Sequence, residues 1–154
     1  MASELNLCAE DLLPQKADMC LLETVIAADE ETLVATTSFG SDSLFCRDGR
    51  VGSWVSLECM AQAVAAWAGY QGRLRGDAPR IGFLLGCGRF DCRRPWLDIG
   101  HTLRIEIRKV IQLDDGLGQF TGAVFDGSEQ VASAVITVFS PGDPMSVIRG
   151  AHHD

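Results

Sequence analysis

The sequence predicts an α+β domain in which one central helix is wrapped by an antiparallel sheet of about six strands. Three observations carry that expectation. Residues 52–69, GSWVSLECMAQAVAAWAG, combine helical spacing of apolar residues with a run of alanines. On both sides the chain is built from short β-branched and apolar runs divided by Gly- and Asp-bearing turns. At 154 residues it is long enough for one hydrophobic core and too short for two comfortable ones. A single domain is therefore expected over residues 1–154, with its core at about 12–140 between a short leader and a loose tail.

Taken in order, CLLETVIAADEETLVATTSF, residues 20–39, reads as two strands joined by a tight acidic turn at Asp29 and Glu30. GSDSLFCRDGRVG, Gly40 to Gly52, reads as a loop on composition, long enough to suggest function. The helix is expected at about residues 53–70, with Ser53 as its N-cap and Gly69 and Gly72 as stops. Val55, Cys59, Ala63, Ala66 and Trp67 lie at helical spacing, and alanines at 61, 63, 65, 66 and 68 leave it thin enough to be closely surrounded. Four extended segments follow: RIGFLLGCGRFDCR, HTLRIEIRKVIQL, LGQFTGAVFD and EQVASAVITVFS, divided by PWLDIG, DDG and DGS. In the second, Leu103, Ile105 and Ile107 alternate with Arg104, Glu106 and Arg108. Asp126-Gly127 is a hairpin signal. One helix covers only part of a sheet and leaves its edges open, so a homodimer is expected.

Composition narrows the function classes. The formal charge is −8, from 13 basic and 21 acidic residues, which argues against a nucleic-acid surface. Six cysteines occur without any CxxC pair, and two of the three histidines stand at 152 and 153, so neither a structural zinc site nor another metal or cofactor is expected. The opening MASELNLCAEDLL lacks a signal-peptide pattern, and no apolar run reaches the length of a membrane span. A cytoplasmic protein is expected.

Within the helix, Glu58 and Gln62 stand four residues apart, placing a carboxylate and an amide on one side of an otherwise apolar element. A polar residue on a solvated helix face and a structural hydrogen bond are the plainer accounts of the two. Asp48 lies on the pre-helix loop, where an aspartate more often forms a turn. Backbone N–H groups around Gly52 and Ser53, at the helix start, are candidate donors to a negatively charged oxygen. His101 reads as a surface residue. Trp54 and Trp67 suit either the wall of an apolar channel or aromatic packing. Arg89, Arg93 and Arg94 suit either scattered charge or contact with an acidic partner.

The segments LLPQKADMCLLETVI, ECMAQA (Glu58 to Ala63) and IGFLLGCGRFDCRRPWLDIG together resemble the hotdog-fold 3-hydroxyacyl-[acyl carrier protein] dehydratases, in particular a divergent branch associated with aryl polyene clusters. The resemblance covers roughly residues 12–140. It implies a helix wrapped by antiparallel sheet, a dimer with active sites at the subunit interface, and a 3-hydroxyacyl thioester of acyl carrier protein or coenzyme A as substrate. Two departures stand out. The family's His-Phe-Pro-Gly motif would place a histidine near Leu44, where this chain reads SLFCRDGRVG, and Gln15 stands where relatives commonly carry histidine. Glu58 is then the expected acid–base residue, buried beside the helix, with Gly52, Ser53, Gln62 and Asp48 as substrate-binding or site-ordering residues. Three functions follow from this: a dehydratase lacking the usual histidine, an acyl thioesterase, or a non-catalytic partner subunit in a dehydratase heterodimer with a histidine-bearing hotdog protein.

Overall fold

The computed structural model describes residues 3–13, 20–76 and 83–139. Gln15 and the tail from residue 140 lie outside the described residues. In chain order the elements are β1 (Ser3–Cys8), a 3-10 turn (Ala9–Leu12), β2 (Thr24–Ala28), β3 (Thr32–Thr37), β4 (Cys46–Arg47) and β5 (Arg50–Gly52). Then follow α1 (Val55–Leu74), β6 (Phe83–Cys92), β7 (Trp96–Leu97), β8 (Leu103–Gln112), β9 (Leu117–Asp126) and β10 (Glu129–Phe139). A seven-stranded sheet runs β1-β2-β3-β8-β9-β10-β6, and a second, three-stranded sheet runs β4-β5-β7. Every pairing is antiparallel.

The large sheet therefore has seven strands rather than about six, because the expected leader contributes β1. The loop read at 40–52 contains the hairpin β4–β5, and the divider PWLDIG contains β7. These short strands are too brief for a two-residue alternation to show in sequence.

Local chemistry explains the turns. The Asp29 carboxylate accepts from the backbone N–H of Glu31 at 2.8 Å and of Thr32 at 2.7 Å, closing the turn between β2 and β3. Leu103, Ile105 and Ile107 all point into the core, as the alternation predicts. So do Val55, Cys59, Ala63, Ala66 and Trp67 of α1. The helix lies against β3, β8, β9 and β10. Trp67 packs edge-on against Phe120, with ring centroids 5.4 Å apart, and donates its indole N–H to the Asp29 carbonyl at 3.0 Å.

Gly69 does not stop the helix, which runs on to Leu74. A Cβ at Gly69 would collide with the Leu12 carbonyl, so the glycine permits a close crossing between α1 and the 3-10 turn. Nor does Ser53 cap α1. The N-cap is Trp54 in right-handed helical conformation, without a side-chain cap bond. The Ser53 hydroxyl is buried and donates to the Arg94 carbonyl at 2.6 Å instead, joining the helix start to the chain before β7.

Candidate active site

Glu58 and Gln62 emerge from α1 one turn apart and touch: the Gln62 amide donates to Glu58 Oε1 at 3.2 Å. Gln62 is 2 % exposed, and its carbonyl accepts the backbone N–H of Leu21 at 2.8 Å. An amide can do both at once because it carries a donor and an acceptor on one rigid plane. Gln62 thus fixes the carboxylate on one side and the segment leading into β2 on the other. Thr37 on β3 donates its hydroxyl to the Leu21 carbonyl, so this segment is held at both backbone groups of one residue. Beside it opens a cleft of about 420 Å³, lined in part by Leu21, Thr37, Phe39, Leu44 and Phe45.

Glu58 itself is exposed, not buried as expected. The helix stripe that includes Trp54, Leu57, Glu58, Ala61 and Ala65 is exposed or only part-covered, while the opposite side is sealed by the sheet. Among the described residues only Gln62 bonds its carboxylate, leaving one oxygen available to a substrate. A held, half-engaged carboxylate, itself exposed, can take up or release a proton at a substrate atom brought to it.

The other expected site residues separate. The Ser53 N–H is committed to the Pro95 carbonyl at 2.9 Å, which removes it as a donor to a substrate oxygen. Gly52 lies in β5 opposite Trp96, and a Cβ there would press on the Trp54 ring at 2.6 Å from Cδ1. Asp48 is exposed, with φ 54°, and forms the tip of the β4–β5 hairpin with Gly49 at φ 74°. That is a turn-forming position, where aspartate tolerates the left-handed region. Trp54 is 61 % exposed and meets Phe45 edge-on at 5.7 Å, whereas Trp67 is core.

One cluster escaped the sequence reading. Asp126 Oδ2 takes the Arg94 guanidinium at 2.9 Å and His101 Nδ1 at 2.8 Å, while Arg94 also pairs with Asp98 at 3.1 Å. The hydrogen bond to Asp126 raises the His101 pKa, and that same bond, from the other side, lowers the Asp126 pKa. The signal that could have found it was weak, since Arg94 and Asp126 stand far apart in sequence. Asp98, His101 and Asp126 are grouped closely enough to hold a cation, but Arg94 already supplies the positive charge there.

Among the described residues, one long helix packed against a large antiparallel sheet is the architecture of a hotdog-fold protein. The chain belongs to the ApeP-like family, described as ApeP dehydratase, whose model matches residues 7–149. It is similar in structure to the dehydratase heterocomplex ApeI:P from Xenorhabdus doucetiae, at 27% identity and TM-score 0.86, over 93% of this chain and 96% of that one. More distantly it is similar to the Escherichia coli PaaI protein from the phenylacetic acid degradation operon, at 18% identity, TM-score 0.61, and coverage of 77% and 78%. A hypothetical thioesterase with coenzyme A from Streptococcus pneumoniae gives 15% identity, TM-score 0.61, and coverage of 77% and 85%. These two share the fold. No curated protein matches the sequence significantly. Among the described residues, no helix is long and apolar enough to cross a membrane.

Proposed function

We propose that the chain is the carboxylate-bearing subunit of a 3-hydroxyacyl thioester dehydratase, with Glu58 as its acid–base residue. The observation that carries this reading is the Gln62-held carboxylate, exposed on a helix face that the described chain covers only in part. Dehydration removes the α-proton of the thioester and expels the β-hydroxyl as water. A carboxylate that accepts the first proton can return it to the departing oxygen, and a second polar group assists by bonding the thioester carbonyl.

This chain supplies the first group and lacks a histidine before His101. The second belongs to a covering subunit: a histidine-bearing hotdog protein in a heterodimer, in preference to the homodimer expected from the sheet edges alone. The similarity to a dehydratase heterocomplex supports that choice. The seam for it is β6, ten residues long and on the outer edge of the large sheet, with Leu85 58 % exposed. The opposite edge, β1, is shorter, at six residues against ten, and offers less backbone for strand addition. The substrate arm, on acyl carrier protein or coenzyme A, is accommodated by the cleft beside Leu21, whose size falls in the range of ligand sites. Cys8, Cys20, Cys46, Cys59, Cys87 and Cys92 as free thiols fit a reducing cytoplasm.

The test is product analysis. The purified chain, alone and mixed with a histidine-bearing hotdog partner, is incubated with a 3-hydroxyacyl and a saturated acyl thioester. A 2-enoyl product from the mixture supports the proposal. Free acid from the saturated thioester would make the protein a thioesterase instead. A mixture in which Glu58→Gln leaves enoyl formation undiminished would show that this chain only supports its partner.

A further inference from the structure

The small sheet β4-β5-β7 has a composition unlike the rest of the surface. Across residues 44–54 and 93–97, Asp48 is the sole acid, against Arg47, Arg50, Arg93 and Arg94, in a chain whose net charge is −8. Arg94 is neutralised by Asp98 and Asp126, but Arg47, Arg50 and Arg93 have no carboxylate partner among the described residues. Two of the three are held in place. The Arg47 guanidinium donates to the Leu44 and Cys46 carbonyls, each at 3.0 Å, and Arg50 lies over the Trp96 ring at 5.3 Å. Large apolar side chains stand among them: Leu44 is 59 % exposed, Trp54 61 % and Trp96 43 %. Trp and Arg over a patch of this kind are the residues that most often anchor protein partners.

The patch also continues into the site. Trp54 precedes Glu58 by one helical turn, and Leu44 and Phe45 form part of the wall of the cleft beside Leu21.

We propose that this sheet is the docking face for an acidic carrier protein, which delivers its thioester arm past Trp54 to Glu58. The proposal rests on the thioester reading above and names the carrier as a protein. Charge complementarity argues for it: a local excess of unpaired guanidinium on an acidic protein attracts a polyacidic surface while the remainder of the molecule repels it. A spread of arginines between exposed aromatic and aliphatic side chains suits a protein surface better than the compact phosphates of a nucleotide.

The experiment uses the assembled protein and the double variant Arg47→Glu/Arg50→Glu. One 3-hydroxyacyl group is presented on holo acyl carrier protein, on coenzyme A and on N-acetylcysteamine, and binding of unloaded holo-carrier is titrated separately. The variant is expected to bind the carrier at least about tenfold more weakly, and kcat/KM for the carrier-borne substrate falls in parallel. Turnover of the N-acetylcysteamine thioester stays unchanged, and the parent's carrier affinity weakens as salt rises.

Equal carrier binding by parent and variant overturns the proposal. A matching loss with the coenzyme A thioester overturns it in favour of a nucleotide-phosphate site, and sedimentation of the variant as separated subunits makes the sheet a subunit interface. Charge-dependent carrier binding without turnover of any thioester upholds the docking face and removes the dehydratase reading, so the two fail separately. Should the double variant not fold, Arg50→Ala alone is expected to weaken carrier binding about threefold, and no change there overturns the proposal as well.

Discussion

Replacing Glu58 with Gln keeps the size of the side chain and removes its proton exchange, so it separates chemistry from packing. Turnover by the assembled enzyme is expected to fall about 10²–10⁴-fold, measured as enoyl product per minute, with the melting temperature unchanged because the carboxylate is exposed. Gln62→Ala acts differently. It strips the Leu21 N–H of its acceptor inside a part-buried bond, at about 1–3 kcal/mol, and frees the carboxylate to rotate. Its signature is a lower denaturant midpoint with a smaller loss of turnover than Glu58→Gln.

The Arg94–Asp126–His101 cluster makes a pH prediction. The raised His101 pKa contributes stability fully present below its ordinary 6.5 and lost as pH rises through the folded value. The lowered Asp126 pKa contributes stability present above its ordinary 3.8 and lost as pH falls through the folded value. The melting-temperature gap between the parent and Asp126→Asn is therefore widest at about pH 4–6.5 and narrows on both sides, where Arg94 alone sustains the alkaline remainder. A gap that grows steadily above pH 7 would contradict this.

Among the elements, one glycine within α1 and one on the strand facing it differ in what their neighbours can yield. Ala at 69 gains helix propensity of up to about 1 kcal/mol, yet its methyl would occupy the Leu12 carbonyl, and backbone cannot move aside cheaply. A net loss of about 1–3 kcal/mol is expected. Ala at 122 meets Met60 Sδ at 2.8 Å, a flexible thioether that can turn away, so Gly122→Ala should cost less. Thermal melts of the two variants check the order, at roughly 2–4 °C per kcal/mol for a chain of this size.

The same elements show what sequence could and could not say. The strands β8 to β10 and the body of α1 were legible because their alternation and helical spacing run for many residues. Gly69 misled because composition marks glycine as a stop, whereas the reason for it is a neighbour nearly sixty residues away. Ser53 misled likewise: its cap position was local, while its actual partner, the Arg94 carbonyl, is 41 residues distant. Glu58 and Gln62 were legible as a pair by spacing. The exposure of Glu58 was not, because it depends on which face the sheet leaves open.

At the scale of the whole molecule, two surfaces are left open: the part-covered α1 stripe around Glu58 and the edge of β6. If β6 is the seam, Leu85→Lys places a charge on it and should shift sedimentation from an assembly toward the 16.6 kDa chain, with the fold of each chain retained by circular dichroism. An unchanged sedimentation coefficient would move the seam elsewhere.

If a second chain completes the site around Glu58, turnover depends on how much of the protein is paired. A site completed only by contact with a second chain has no fixed specific activity. Below the dissociation constant of the pair, with both chains diluted together, the rate falls as the square of total protein, and doubling one chain alone doubles the rate. A progress curve begun by dilution from a concentrated stock would bend downward as the pairs separate. A lag that shortens with added partner would mark the reverse event, and the two time courses together would yield the association and dissociation rates without any structural label.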